Sequence, residues 1–331
     1  MSGDTAPHVV EDFLGVVQLL SDGSVVRGDD AVLKPAAEAI PDVPGVDWTD
    51  VVYDATHGLK VRLYKPPPAA AGEGGGRHPV LVYFHGGGYC VGAHDEPGPH
   101  HHALQRLAAG LPAVVLSVQY RLAPEHRLPA AIDDGAAFLS WLGRQAALAA
   151  GAVPWLAESA DLARTFVSGV SAGANLAHHV VVQAASGRIA LGPVRVAGYV
   201  LLSPFFGAGE RTATEAEPLA AGVAPTVAMC DQLWRMALPA GATRDHPVAN
   251  PFGPESPVLE PVALPPALVV TPGRDVLHGH ALRYAARLEE MGKAVELAVF
   301  EREEHAFSVR GWGEANEELV RVLKRFVHRS E

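Results

Sequence analysis

The apolar positions of this chain follow two periods that alternate along most of its length. Short runs at 80–84, 113–118, 165–167, 198–202, 268–271 and 295–300 are rich in Val, Leu and aromatic residues, as buried strands are. Between them, 101–109, 131–149, 174–185, 282–291 (within a helical stretch from 278) and 314–327 read as helices. Strand and helix in alternation predict an α/β architecture with a mostly parallel, doubly wound sheet. Ahead of it, 46–53 and 59–64 alternate well enough for two antiparallel strands. Val10, Phe13, Val17 and Leu20 recur at helical spacing, so 9–21 is expected as a short amphipathic helix ending at the Asp22-Gly23 turn.

Three stretches break the alternation. Residues 30–44 look irregular, and 66–76, rich in Pro, Ala and Gly, read as a mobile surface loop. The long segment 206–265 carries weak strand signals and far exceeds an ordinary connection. It is assigned, with 1–45, to a cap without a core of its own, so 1–331 is expected to form a single domain.

Chemistry enters with two glycine motifs. Gly169-Val170-Ser171-Ala172-Gly173 lies between a strand and a helix, where G-x-S-x-G forms a nucleophile elbow. In a chain with 34 Gly the motif alone could be a surface turn. A second motif changes that: the strand at 80–84 runs into His85-Gly86-Gly87-Gly88, whose backbone N–H groups can approach a ligand. Neither Gly-Lys-Ser/Thr nor G-x-G-x-x-G spacing is present to suggest phosphate binding. Gly87, Gly88 and Ala172 are therefore candidate oxyanion donors, a role in which one fixed N–H is worth about 3 kcal/mol. His85 is expected to shape the loop. Asp275 and His305 each follow a later strand, in the Ser–Asp–His order that the elbow requires.

These motifs resemble the hormone-sensitive-lipase branch of the α/β-hydrolases, and within it the plant carboxylesterases related to the gibberellin receptor. The resemblance extends to residues 120–130 (YRLAPEHRLPA) and 19–27 (LLSDGSVVR). It implies an α/β-hydrolase fold with a cap. The gibberellin receptor has lost the triad histidine, whereas this chain has His305. Residues 203–207 and 241–254 look most like the plant carboxylesterases implicated in strigolactone breakdown, so a strigolactone is the substrate the resemblance suggests. The chain departs from the family at Val170, where Asp is usual.

The expectation is a serine carboxylesterase with Ser171 as nucleophile, His305 as base and Asp275 as its orienting acid. Phe13, Val17, Phe205, Phe206, Leu233, Leu238 and above all Trp234 are candidate pocket residues. A small-molecule receptor and a dehydratase on the same scaffold remain as alternatives. No cofactor is called for. His100-His101-His102 and His178-His179 lack the spacing of a zinc helix, so no metal is expected.

Composition narrows the rest. At 48% hydrophobic and 19% charged the chain reads as globular, and a net charge of −11 argues against nucleic acid and anionic membranes as partners. Cys90 and Cys230, without C-x-x-C, suit a reducing compartment: the cytoplasm, with the nucleus as a second possibility. Residues 1–12 have no basic n-region, so no signal peptide is expected. Nothing in the sequence decides the oligomeric state.

Overall fold

A computed structural model describes residues 6–33, 40–68, 77–148, 153–217 and 222–329. Its centre is an eight-stranded sheet of β4 (Asp47–Asp54), β5 (Leu59–Lys65), β6 (His78–Phe84), β7 (Val114–Val118), β8 (Ala160–Val170), β9 (Val196–Leu202), β10 (Ala267–Arg274) and β11 (Val295–Glu304). The order is β11-β10-β9-β8-β6-β7-β5-β4. From β11 to β7 the pairing is parallel; β5 runs antiparallel to β7 and β4 antiparallel to β5, so β5 is the reversed strand of this sheet.

Alternation along the strands divides the core between the two faces. Val80, Val82 and Phe84 pack with α2 (Ala130–Ala147), α4 (Ala172–Ala185) and α7 (His278–Glu290). Leu81 and Tyr83 pack on the other face with α1 (Pro99–Gly110) and α9 (Glu314–Val327). Runs that read as uniformly apolar therefore serve two helix layers. The acidic stretch 301–304 extends the strand expected at 295–300 and completes β11. Short helices α3 (Pro154–Ser159), α5 (Ala213–Ala216) and α8 (Phe307–Arg310), with α6 (Val227–Ala237), complete the helical set among the described residues. None of the described helices is long and apolar enough to cross a membrane. Most of the loop expected at 66–76 lies outside the described residues.

The N-terminal segment overturns its expectation. It is a three-stranded antiparallel sheet of β1 (Val9–Phe13), β2 (Val17–Leu20) and β3 (Val25–Arg27), not an amphipathic helix. Leu14 and Gly15 take φ of 55° and 71°, which stops any helix there, and Asp12 Oδ1 accepts the Gly15 N–H at 2.7 Å to close the turn. Phe13 and Val17 are buried, but Val10 is 49% exposed, so the helical spacing was coincidental. Residues 30–44 follow as a 3-10 turn at Asp30–Leu33 and irregular chain, with 34–39 outside the described residues.

Distant contacts hold this small sheet in place. Glu11 pairs with Arg235 on α6 and accepts from Gln232, while Arg27 pairs with Glu125 and donates to the Cys90 and Ala123 carbonyls. The two sequence stretches 19–27 and 120–130 thus meet through Arg27 and Glu125.

Candidate active site

Each part of the site is the first residue after a parallel strand. His85 follows β6, Ser171 follows β8, Asp275 follows β10 and His305 follows β11. Parallel strands end on one rim, so four positions spread over 221 residues of sequence converge there.

Ser171 has φ 56° and ψ −118°, and α4 begins at the next residue. The flanking glycines are required by contact. A Cβ on Gly173 would lie 2.0 Å from the Phe84 carbonyl oxygen, and one on Gly169 would lie 2.3 Å from the Gly173 carbonyl carbon. The elbow therefore packs backbone to backbone against the end of β6, and Ser171 stands at the positive end of α4.

His305 Nε2 lies 3.0 Å from Ser171 Oγ, and His305 Nδ1 lies 2.7 Å from Asp275 Oδ2. A carboxylate only accepts, so the Nδ1 proton points at Asp275 and the Nε2 lone pair faces the serine hydroxyl. The second Asp275 oxygen accepts the Leu277 N–H at 2.9 Å. All three side chains are buried.

The glycine loop is held by His85. Its ring stacks on Tyr120 at 4.2 Å, Nδ1 donates to the Gly86 carbonyl at 2.8 Å, and the Tyr120 hydroxyl donates to the His85 carbonyl at 2.7 Å. Burial pushes the His85 pKa down to about 4, which keeps this imidazole neutral as a fixed strut. Gly87 and Gly88 take φ of 109° and 59°, and the Cys90 and Val91 N–H groups both donate back to the Gly87 carbonyl. Among the described residues the Gly87 and Gly88 N–H groups find no acceptor, and Ala172, the first residue of α4, has none within its helix. Tyr89 ties the loop to α4 through Asn175 Oδ1 at 2.6 Å, and Asn175 Nδ2 donates to the Phe205 and Val248 carbonyls.

A cavity of about 290 Å³ opens over Ser171 and His305, a size at the small end for small-molecule sites. Of the predicted pocket residues, Phe13, Phe205 and Leu233 line it, and Phe206, Trp234, Val17 and Leu238 do not. Trp234 stands behind Phe205, stacked on it at 4.2 Å and 1% exposed. Phe206, next along the chain, turns away to stack on Tyr284 at 4.8 Å. Trp234 therefore forms a second layer behind the Phe205 wall.

Sequence reasoning missed Val91 and His100, Met229 and Cys230 on α6, and Val309 and Arg310 on α8. One signal for several of them was available. The segments after the glycine loop and after His305 start at the same rim, so their first turns must face the same space. The paired histidines have separate partners: His101 bonds Tyr64 and Gln105, His178 bonds Tyr284, and His179 bonds the Val248 carbonyl. Cys90 and Cys230 are free, buried thiols.

Residues 81–309 match a protein family described by its alpha/beta hydrolase fold. The chain is 37% identical over 280 residues to gibberellin receptor GID1C of Arabidopsis thaliana, covering 81% of this chain and 76% of that one. It is 33% identical to probable carboxylesterase 6 of the same plant, covering 73% and 69%. An esterase of Pyrobaculum calidifontis superposes with a TM-score of 0.68 at 27% identity, over 85% of this chain and 84% of the other.

Proposed function

The chain belongs to the alpha/beta hydrolase fold family, and on that premise we propose that it is a serine carboxylesterase acting on small-molecule esters. The observation that carries this reading is the hydrogen-bonded line Ser171–His305–Asp275 on the floor of a small, largely apolar cavity. Ser171 Oγ attacks the ester carbonyl as its proton passes to His305 Nε2. The carbonyl oxygen becomes an oxyanion within reach of the Gly87, Gly88 and Ala172 N–H groups. His305 then protonates the departing alcohol, leaving an acyl-serine. Water, activated by the same imidazole, releases the acid. Asp275 keeps the ring in the required tautomer and stabilises its charged form.

The sequence resemblance makes a strigolactone one candidate among the esters to be tried. The free thiols fit a reducing compartment such as the cytoplasm. A receptor reading draws support from the similarity to gibberellin receptor GID1C: the cavity would then bind a ligand without turnover. That reading gives no task to a histidine hydrogen-bonded between a serine and a carboxylate.

Hydrolysis of short-chain nitrophenyl esters and of a strigolactone, in wild type, Ser171→Ala and His305→Ala, separates the two. The esterase reading expects kcat/KM to fall by at least about 10³-fold in each variant while the fold persists. A wild-type protein that binds these compounds tightly but never turns them over would establish the receptor reading instead.

A further inference from the structure

One side chain in the cavity wall is out of keeping with its surroundings. His100 lies in the first turn of α1, is 8% exposed and lines the same cavity as Ser171 and His305. Among the described residues neither of its ring nitrogens completes a hydrogen bond. The Glu96 backbone carbonyl is close enough to favour the charged ring slightly, and at most one nitrogen can turn toward it. Of the histidines close to it, His101 bonds Tyr64 and Gln105, whereas His94 also leaves its ring nitrogens unpaired among the described residues, but only His100 of these unpaired rings lines the cavity. The ring is not loose: Tyr83 packs against it, centroids 5.7 Å apart. A buried polar group normally has a partner, and an apolar ring would fill this place without the cost of an unmet donor and acceptor.

We propose that His100 is a specificity residue of this site, its imidazole hydrogen-bonding to an uncharged hydroxyl or carbonyl carried on the apolar body of the ester. The inference deepens the esterase reading and rests on it. The chemistry of the wall selects an uncharged group. Burial and the neighbouring His85 and His101 push His100 down to about 3, so the ring stays neutral and offers one donor and one acceptor. Asp30 and Glu96 share the wall with Arg310, two acids against one base, so an anionic group gains no net positive field there. An apolar ester fills the cavity but leaves the imidazole unmet. An ester with a hydroxyl or keto group at the right distance satisfies it.

The test uses matched pairs: a nitrophenyl pentanoate against its keto analogue, and cyclohexyl acetate against hydroxycyclohexyl acetate. They place the polar group on the acyl and on the alcohol side respectively. Wild type should prefer the polar member of at least one pair by about tenfold or more in kcat/KM. In His100→Phe that preference should shrink to within about twofold. The polar member of the pair should lose more kcat/KM than the plain one, and Tm should not fall. His100→Gln, which keeps a donor and an acceptor, should retain part of the preference, and His100→Leu serves if the Phe variant does not fold. Calorimetric binding of the uncleaved pairs to Ser171→Ala, with and without His100→Phe, gives a readout independent of turnover. Parallel losses on both members of a pair, a preference that survives His100→Phe, or no preference in wild type would each overturn the assignment. Binding preference that follows His100 without any turnover would sink the esterase reading and leave this one standing. Turnover without preference would do the reverse.

Discussion

The sheet rim and the N-terminal sheet both contribute to the wall around Ser171, and they are specified in different ways. At the rim, short-range exclusion dictates the geometry. Gly169 and Gly173 have no room for a methyl group, and Ser171, Asp275 and His305 are each the first residue after a strand. In the N-terminal sheet the chain turns at Gly15 and Gly23, where an added Cβ would meet no atom of the described residues. Its position depends on Glu11 reaching Arg235 and Arg27 reaching Glu125, partners far away in sequence. The first kind of structure can be read from a motif. The second exists only once the rest of the molecule is in place.

The sharpest way to break this contrast is a pair of glycine substitutions. Gly173→Ala would drive its methyl into the Phe84 and His85 carbonyl oxygens, at 2.0 and 2.4 Å. It should destabilise the protein by several kcal/mol, read as loss of soluble protein or a large drop in Tm. Gly23→Ala, at φ +85° in open space, should cost only about 1–2 kcal/mol. Equal losses from the two would remove the distinction.

Next in size is Asp275→Asn. The amide can face His305 with its N–H₂ group and favour the wrong tautomer, so kcat should fall by about 10³–10⁴-fold with the melting transition nearly unchanged. A loss of only a few-fold in steady-state kinetics would mean that Asp275 does not orient His305.

A third prediction concerns acid. Burial lowers His85 and His179 to about 4 and His100 to about 3, and holds His178 well below its ordinary value. Between the unfolded value near 6.5 and these folded values, the unfolded chain binds more protons than the native one. Stability is therefore full above about pH 6.5 and falls as pH drops toward 4, each imidazole adding up to about 1.4 kcal/mol per pH unit. Urea unfolding at a series of pH values measures the slope. A flat profile over that window would show that these rings are not held neutral.

The smallest effect belongs to the N-terminal tie. Glu11→Gln removes a partly exposed ion pair with α6, worth about 1 kcal/mol or less. KM should rise by no more than about fivefold with kcat unchanged, since the hairpin carries Phe13 into the cavity wall but no reacting group. A collapse of kcat would mean that the hairpin helps to place the reacting groups themselves.

The same contrast explains what could be read in the sequence. The parallel sheet, the elbow and the placement of Asp275 and His305 on one rim were legible because apolar runs, glycines and strand ends are local signals. The hairpin was not. Val10, Phe13, Val17 and Leu20 fit a helix by spacing, and only the Leu14–Gly15 turn and the docking on α6 decide otherwise. Trp234 was misplaced for a related reason: ring size marks a residue as buried, but not whether it stands in the first layer of a wall or behind Phe205. His100 left no trace in the sequence beyond its place in a histidine run, because its meaning lies in the partners it lacks.

The central claim is that Ser171 is a nucleophile activated by His305. Intact-protein mass spectrometry after brief exposure to a fluorophosphonate tests it without assuming any natural substrate. Wild type should gain one phosphonyl adduct that maps to Ser171, Ser171→Ala should gain none, and His305→Ala should react slower by at least about 10³-fold. An unmodified wild-type protein, or the same adduct on Ser171→Ala, would contradict the account.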